Sequence, residues 1–155
     1  MNEYAVVKTV HVISSTLLFG TGIGSAFYML FASLNRDARV AYFVVRYVVI
    51  ADWLFTTTAV IVQPVSGFWL VHLAGFPVKS LWIWLSIALY LLAGACWLPV
   101  VWMQLRMREM AREAMAAGVP LPARYWRFFR LWMALGIPAF LSLVAVFYLM
   151  VAKPA

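Results

Sequence analysis

Four long apolar segments, separated by three short polar ones, make up the chain. The apolar segments cover about residues 4–33, 40–73, 79–116 and 123–152. Each is longer than the roughly 20 apolar residues that a helix needs to cross a bilayer. The polar breaks at 35–37, 75–77 and 118–122 contain the Gly, Pro, Asn and Asp residues that end helices. The pattern predicts an all-α protein, a bundle of four transmembrane helices in a single domain.

Composition supports a membrane location. The 155 residues are 66% hydrophobic and only 11% charged, whereas soluble domains are roughly 45–50% apolar and about 25% charged. A soluble fold of this size has too little interior for so many apolar side chains, so the main partner is the lipid bilayer. The net charge of +7 does not indicate nucleic-acid binding, because the arginines are confined to two regions between apolar segments.

The distribution of positive charge predicts the orientation. The regions that follow the first and third apolar segments hold nine arginines: Arg36, Arg39, Arg46, Arg106, Arg108, Arg112, Arg124, Arg127 and Arg130. The opposite side holds only Lys8, Lys79 and Lys153. Basic loops stay in the cytoplasm. We therefore expect a multi-pass protein of a bacterial inner membrane, with both termini on the periplasmic side and the third helix extending into the cytoplasm.

Three of the apolar segments carry a stripe of polar or small residues at helical spacing. The stripes comprise Lys8, His11, Ser15, Gly22 and Ser25 in the first segment; Asp52, Thr56, Ala59, Gln63 and Ser66 in the second; and Ser86, Tyr90, Ala93, Trp97 and Gln104 in the third. Polar side chains inside a membrane normally face other helices. The stripes predict that the first three helices surround a polar interior and that the fourth closes the bundle.

Ionisable residues within a membrane are candidate functional residues. His11 could ligate haem iron or a transition metal, carry protons, or form a hydrogen bond between helices. For Asp52 we expect an ion pair with Arg46 or Arg106, in preference to a role in proton transfer. Lys8 could reach the outer headgroups or take part in a site. Thr56, Gln63 and Gln104 complete the set of candidate polar residues within the membrane.

Three segments resemble a family of bacterial membrane proteins, domain of unknown function 2269. They are LLFGTGIGSAFYM (17–29), ADWLFTTTAVIVQPVSG (51–67) and CWLPVVWMQLRMR (96–108). The likeness covers nearly the whole chain. It implies a small membrane protein without implying an activity.

A more distant resemblance is to the HemJ-type protoporphyrinogen oxidases and the related CopD-like membrane proteins. It rests on Lys8-Thr-Val-His11, Lys79 after the outer turn, Pro138 in the last segment and the tail Val151-Ala152-Lys153-Pro154. The resemblance implies that haem b is bound, with His11 as an axial ligand and Lys8 and Lys79 near the propionates. The further histidines of those proteins have no counterpart at Phe27-Tyr28-Met29 or Ala95-Cys96-Trp97.

The sequence therefore favours a redox-linked membrane protein that binds haem b, and it leaves the question of enzymatic activity open. One alternative is a non-enzymatic subunit or scaffold of a larger membrane complex. Another is a small proton- or metal-handling transporter, with His11, Gln63, Thr56 and Asp52 along its path. A homo-oligomer or a partner membrane protein is expected under each hypothesis.

Overall fold

A computed structural model describes residues 2–154, and all its regular structure in that range is helical. We label the four long helices α1, Glu3–Leu34; α2, Ala38–Leu73; α3, Leu81–Ala117; and α4, Ala123–Ala152. Each is long and apolar enough to cross a membrane. The predicted all-α fold with four spanning helices is confirmed.

Local sequence sets the helix ends. The side chain of Asn2 accepts a hydrogen bond from the Tyr4 backbone N–H (3.1 Å), and that of Asp37 accepts one from Arg39 N–H (2.7 Å). Both are N-caps, which satisfy backbone donors that have no partner within the helix. Gly118 ends α3 with φ at 66°, a conformation that glycine adopts without strain.

Two hydrophobic clusters hold the bundle together. We call the end that carries residues 34–38 and 108–130 the arginine-rich end, and the opposite end the terminal end. All four helices contribute to the larger cluster, at the arginine-rich end, which includes Met29, Val45, Met103, Met107, Tyr125 and Phe129. The smaller cluster, at the terminal end, consists of Trp82, Ile83 and Leu149 with Val71 and Phe76 packed on them.

The helices are arranged as two pairs. Residues 57–73 of α2 pack on α1, and α3 packs along α4. Residues 38–51 of α2 join the pairs because they contact both α1 and α3. Between the two clusters the pairs are linked by a hydrogen bond from the Tyr90 hydroxyl to the Val60 carbonyl (2.7 Å) and by stacking of Phe19 on Phe140 (5.2 Å between ring centroids).

This arrangement corrects the expected role of the fourth helix. Instead of closing a three-helix interior, α4 is the main packing partner of α3. The physical reason lies in the short connection between the two helices and in three buried aromatic residues of α4, Tyr125, Phe129 and Trp132. These large side chains fill the core at the arginine-rich end, and burying such side chains contributes strongly to packing.

Candidate functional site

Between the two hydrophobic clusters, the helix pairs enclose a cavity of about 430 Å³. Its walls are mainly apolar: Leu18 and Phe19 on α1, Ala93 on α3, and Gly136 and Phe140 on α4 are among the lining residues. Ligand pockets in proteins typically measure roughly 300–1,000 Å³ and have apolar walls with a few polar groups. The cavity has the size and composition of a site for a small organic molecule.

Polar side chains gather where the cavity approaches the arginine-rich end. Asp52 and Gln104 are only 5% and 2% exposed, and both line the cavity with Thr56 and Trp97. The Thr56 hydroxyl donates a 2.8 Å hydrogen bond to Asp52 Oδ1, and Gln104 lines the same part of the cavity. We call these four residues the polar end of the cavity.

Two atoms of the polar end lack hydrogen-bond partners. Gln104 Oε1 and Trp97 Nε1 are buried, and neither has a partner among residues 2–154. Native proteins satisfy nearly all of their buried polar atoms, so each exception calls for an explanation. One atom is an acceptor and the other is a donor. A bound molecule with complementary groups would satisfy both.

A π-helical turn places Asp52 and Thr56 beside the cavity. Within α2, residues Asp52–Thr56 form this turn, and the Thr57 backbone N–H bonds to the Asp52 carbonyl five residues earlier. The Thr57 hydroxyl donates to the same carbonyl (3.0 Å). Single π-helical turns within α-helices are uncommon and often occur at functional sites. The turn is the main irregularity of α2 and coincides with its one buried acid.

The expected ion pair of Asp52 with Arg46 or Arg106 is wrong. In the described part of the chain, the ion pairs are those of Glu109 with Arg108 and Arg112. Arg46 is exposed, and Arg106 places its guanidinium over the Trp102 ring, 5.6 Å from the centroid. Six residues separate Arg46 from Asp52, a rotation of roughly 240° about the helix axis, and helical geometry therefore turns the arginine away from the carboxylate.

The cavity opens sideways between α1 and α4, which contact each other sparsely. Several of its lining residues at this gap are exposed at the protein surface. They are Ile23 (43%) and Phe27 (55%) on α1, and Ile137 (57%) and Leu141 (58%) on α4. In a bilayer these apolar side chains face lipid. A molecule dissolved in the membrane can therefore reach the cavity without crossing an aqueous surface.

A second polar cluster links α1 to α2 nearer the terminal end. Nδ1 of His11 lies 2.8 Å from the Ser66 hydroxyl oxygen, and that hydroxyl donates to the Val62 carbonyl (2.6 Å). If the Ser66 proton stays directed to the Val62 carbonyl, the Ser66 oxygen accepts a hydrogen bond from His11 Nδ1–H, and the lone pair then lies on Nε2.

Gln63 and Gly67 position the His11 segment. The Gln63 amide donates to the His11 carbonyl (2.7 Å) and to the Ser14 hydroxyl. A Cβ atom at position 67 would lie 3.2 Å from Cε1 of the imidazole, so glycine leaves room for the ring. The imidazole is therefore held by a hydrogen bond at Nδ1 and lies close to the Gly67 backbone.

The candidate residues from the sequence fall into three places. Asp52, Thr56 and Gln104 meet at the cavity, whereas His11 and Gln63 meet in the cluster near the terminal end. Seven residues separate Thr56 from Gln63, about 10 Å along the helix axis. Lys8 and Lys79 are exposed, and the Lys8 ammonium lies over the Tyr4 ring (5.5 Å). The residues that line the cavity include neither of these lysines, nor His11.

Sequence reasoning missed the cavity, the π-helical turn and the two unpartnered atoms. Trp97 and Gln104 were recognised as members of one polar stripe, but spacing cannot show whether the opposing helix fills the space. Small residues on facing helices, such as Gly94 on α3 and Gly136 on α4, are the signal that could have indicated a gap. Small residues also permit close helix packing, so the signal alone is ambiguous.

Comparisons with known proteins agree with the membrane assignment. No curated protein and no solved structure matches the chain. A family model described as "Predicted integral membrane protein (DUF2269)" matches residues 5–154. This match spans nearly the whole sequence, including all four helices and both polar clusters. The chain therefore belongs to the DUF2269 family of integral membrane proteins.

Proposed function

We propose that this protein binds a lipid-soluble organic molecule that has a polar group at one end. The observation that carries the proposal is the cavity of about 430 Å³ with apolar walls, two unpartnered polar atoms at one end and an opening toward lipid. An apolar body would occupy the space between the helix pairs, and its polar group would meet Asp52, Thr56, Trp97 and Gln104.

The energetics favour an occupant over an empty cavity. A buried polar group without a partner costs on the order of 1–3 kcal/mol. Filling the cavity also restores the dispersion contacts that its lining atoms lack. Within a membrane, lipid tails are as apolar as the cavity walls, so hydrophobicity alone gives little preference for the bound state. The polar end therefore supplies most of the selectivity.

Photolabelling in lipid nanodiscs tests the proposal. The probe is decanol carrying a diazirine on its chain, and peptide mass spectrometry locates the labelled residues. We expect labelling of cavity residues such as Ala93 and Val60, and we expect unlabelled decanol in excess to suppress it. Labelling of lipid-facing residues outside the cavity, such as Leu98, should not saturate.

A pair of glycine variants controls for cavity shape. Gly94 lines the cavity, and Gly20 does not; a Cβ at either position meets no atom within 4 Å. Gly94→Leu should fill part of the cavity and suppress labelling there, whereas Gly20→Leu should leave it unchanged. The proposal would be overturned if labelling of the cavity residues did not saturate and was unchanged in Gly94→Leu.

His11 supports a second candidate, haem binding. Its Nδ1 lies 2.8 Å from the Ser66 hydroxyl, and in the tautomer with Nδ1–H the lone pair is on Nε2, as in histidines that ligate metals. The imidazole fits an axial ligand, but the cavity that carries our first proposal is lined by neither His11 nor the expected lysines, Lys8 and Lys79.

Absorption spectroscopy separates the two candidates. If haem is bound, protein expressed with added haem shows a Soret band, and sharp α and β bands appear at longer wavelength on dithionite reduction. His11→Ala should abolish that band, while the exposed His72→Ala should retain it. A Soret band that survives His11→Ala, or the absence of any band, would reject His11 as a haem ligand and leave it as a residue that joins two helices.

A further inference from the structure

We propose that the molecule bound in the cavity is a lipophilic amine whose ammonium group contacts Asp52 and Gln104. This inference rests on the proposed function and names the chemical class of the ligand. It follows from the charge of the polar end, from the kind of hydrogen-bonding atoms found there, and from the apolar walls above them.

The polar end contains one acidic group, Asp52, which has no basic partner among the residues that the structure describes. Asp52 is the only acid that lines the cavity, and the residues lining it include no Lys, Arg or His. The other titratable side chain facing the space is Tyr90, whose hydroxyl is bound to the Val60 carbonyl. A carboxylate in apolar surroundings must either take up a proton or face a positive charge. The cavity therefore offers a site where a ligand can supply the missing cation.

Two groups at this end, the Asp52 carboxyl and Gln104 Oε1, are acceptors and call for a donor, whereas the unpartnered Trp97 Nε1–H is a donor that an ammonium group does not satisfy. The Asp52 carboxylate accepts hydrogen bonds, and the unpartnered Gln104 Oε1 is also an acceptor. A primary ammonium carries three N–H donors and can serve both atoms, whereas an alcohol carries one and a quaternary ammonium carries none. The pair therefore selects for an ammonium group that keeps its N–H bonds.

The remaining walls suit the rest of such a molecule. Trp97 is part of the polar end, and aromatic faces attract cations. Beyond it, Leu18, Phe19, Ala93 and Phe140 form an apolar space that an alkyl or aryl group can fill. Lipid tails accommodate an apolar group as well as the cavity walls do. A charge-assisted hydrogen bond at Asp52 therefore decides which membrane-soluble molecule stays bound.

Competition against the photoreactive decanol tests this inference. The competitors are decylamine, decanol and decyltrimethylammonium, which share one chain length and differ in head group. Each concentration is corrected for partitioning into empty nanodiscs. We expect decylamine to displace the probe at a concentration on the order of 10- to 100-fold lower than decanol, as expected for a hydrogen-bonded charge pair. Decyltrimethylammonium should compete less well than decylamine.

Three variants assign the effect to the polar end. Asp52→Asn should make decylamine and decanol equally effective, while photolabelling shows that the cavity persists. Gln104→Leu should reduce the advantage of decylamine over the quaternary compound. Asp37→Asn removes an exposed carboxylate at the start of α2 and keeps a capping side chain, so it should leave all three competitors unchanged.

The outcomes distinguish amine binding from the more general proposal that the cavity binds a lipid-soluble molecule. If the probe labels the cavity saturably but decylamine is no better than decanol, the amine inference fails and the binding function stands. If decylamine keeps its advantage in Asp52→Asn, the inference also fails, because the carboxylate is then not responsible. If no saturable labelling of the cavity occurs, the binding function itself fails.

Discussion

Thr56 donates a hydrogen bond to the Asp52 carboxylate over 2.8 Å, and the two residues stand at the ends of one π-helical turn. The turn and the hydrogen bond together fix a buried acid beside the cavity. Side chains four residues apart lie on the same side of a helix, so the hydroxyl reaches the carboxylate without distortion. This local geometry lets an aspartate remain inside the membrane without an arginine partner.

Replacing Thr56 with valine should destabilise the protein. Thr56→Val keeps the shape of the side chain but removes a donor to a buried carboxylate, and we expect a loss of about 1–2 kcal/mol in the free energy of unfolding. Unfolding in mixed detergent and dodecyl sulfate measures it. Thr58→Val is the matched control, since the Thr58 hydroxyl binds the Leu54 carbonyl on the exposed side of α2. Equal effects of the two substitutions would argue against a special role for Thr56.

A buried hydroxyl pair should link α1 to α4 at the arginine-rich end. Ser33 Oγ and the Tyr125 hydroxyl lie 2.7 Å apart, and both side chains are fully buried. Ser33→Ala and Tyr125→Phe should each cost about 1–2 kcal/mol, because each leaves one hydroxyl unpaired. The double variant should cost less than the sum of the two. Strict additivity in a double-mutant cycle would show that the pair is not coupled.

The tautomer of His11 follows from its contact with Ser66. Nitrogen-15 NMR of histidine-labelled protein should show Nδ1 protonated and Nε2 unprotonated, because the Ser66 hydroxyl proton is directed to the Val62 carbonyl. Ser66→Ala should remove this preference, whereas Ser15→Ala, on the same helix as His11, should preserve it. An Nε2–H tautomer in the unaltered protein would contradict the described network and weaken the case for metal ligation.

The orientation in the membrane remains a prediction. Nine arginines cluster at one end of the bundle, and the lysines Lys8, Lys79 and Lys153 lie toward the other. Under the positive-inside rule, this places both termini outside the cytoplasm. Alkaline phosphatase fused after Lys153 should be active in a bacterial host, and green fluorescent protein fused there should be dark. The reverse pattern would show the opposite orientation, with the terminal end in the cytoplasm.

The fold could be predicted because its determinants are local. Apolar length sets each spanning helix, and residues such as Asp37 and Gly118 mark helix ends within a few positions. Helical spacing also identified Asp52, Thr56 and Gln104 as inward-facing polar residues. These properties depend on residues that are near one another in sequence.

The site could not be predicted because it depends on distant contacts. The π-helical turn at Asp52 changes which side chains of α2 share a face, and no residue type in that segment predicts the turn. Helices α1 and α4 line the cavity and contact each other sparsely, which spacing along one helix cannot reveal. The ion pair expected for Asp52 is absent among the described residues for a related reason: Arg46 lies at a suitable depth, but the helix turns its side chain away from the carboxylate.

The most direct test of the binding function is a crystal structure grown from a lipidic mesophase, with decylamine added. We predict elongated density between the helix pairs, with the amine nitrogen within hydrogen-bonding distance of Asp52 and Gln104 Oε1. Density for a different apolar molecule in the same place would support the cavity and reject the amine. Side chains that close the space between Ala93 and Gly136 and leave no room for any molecule would contradict the central claim.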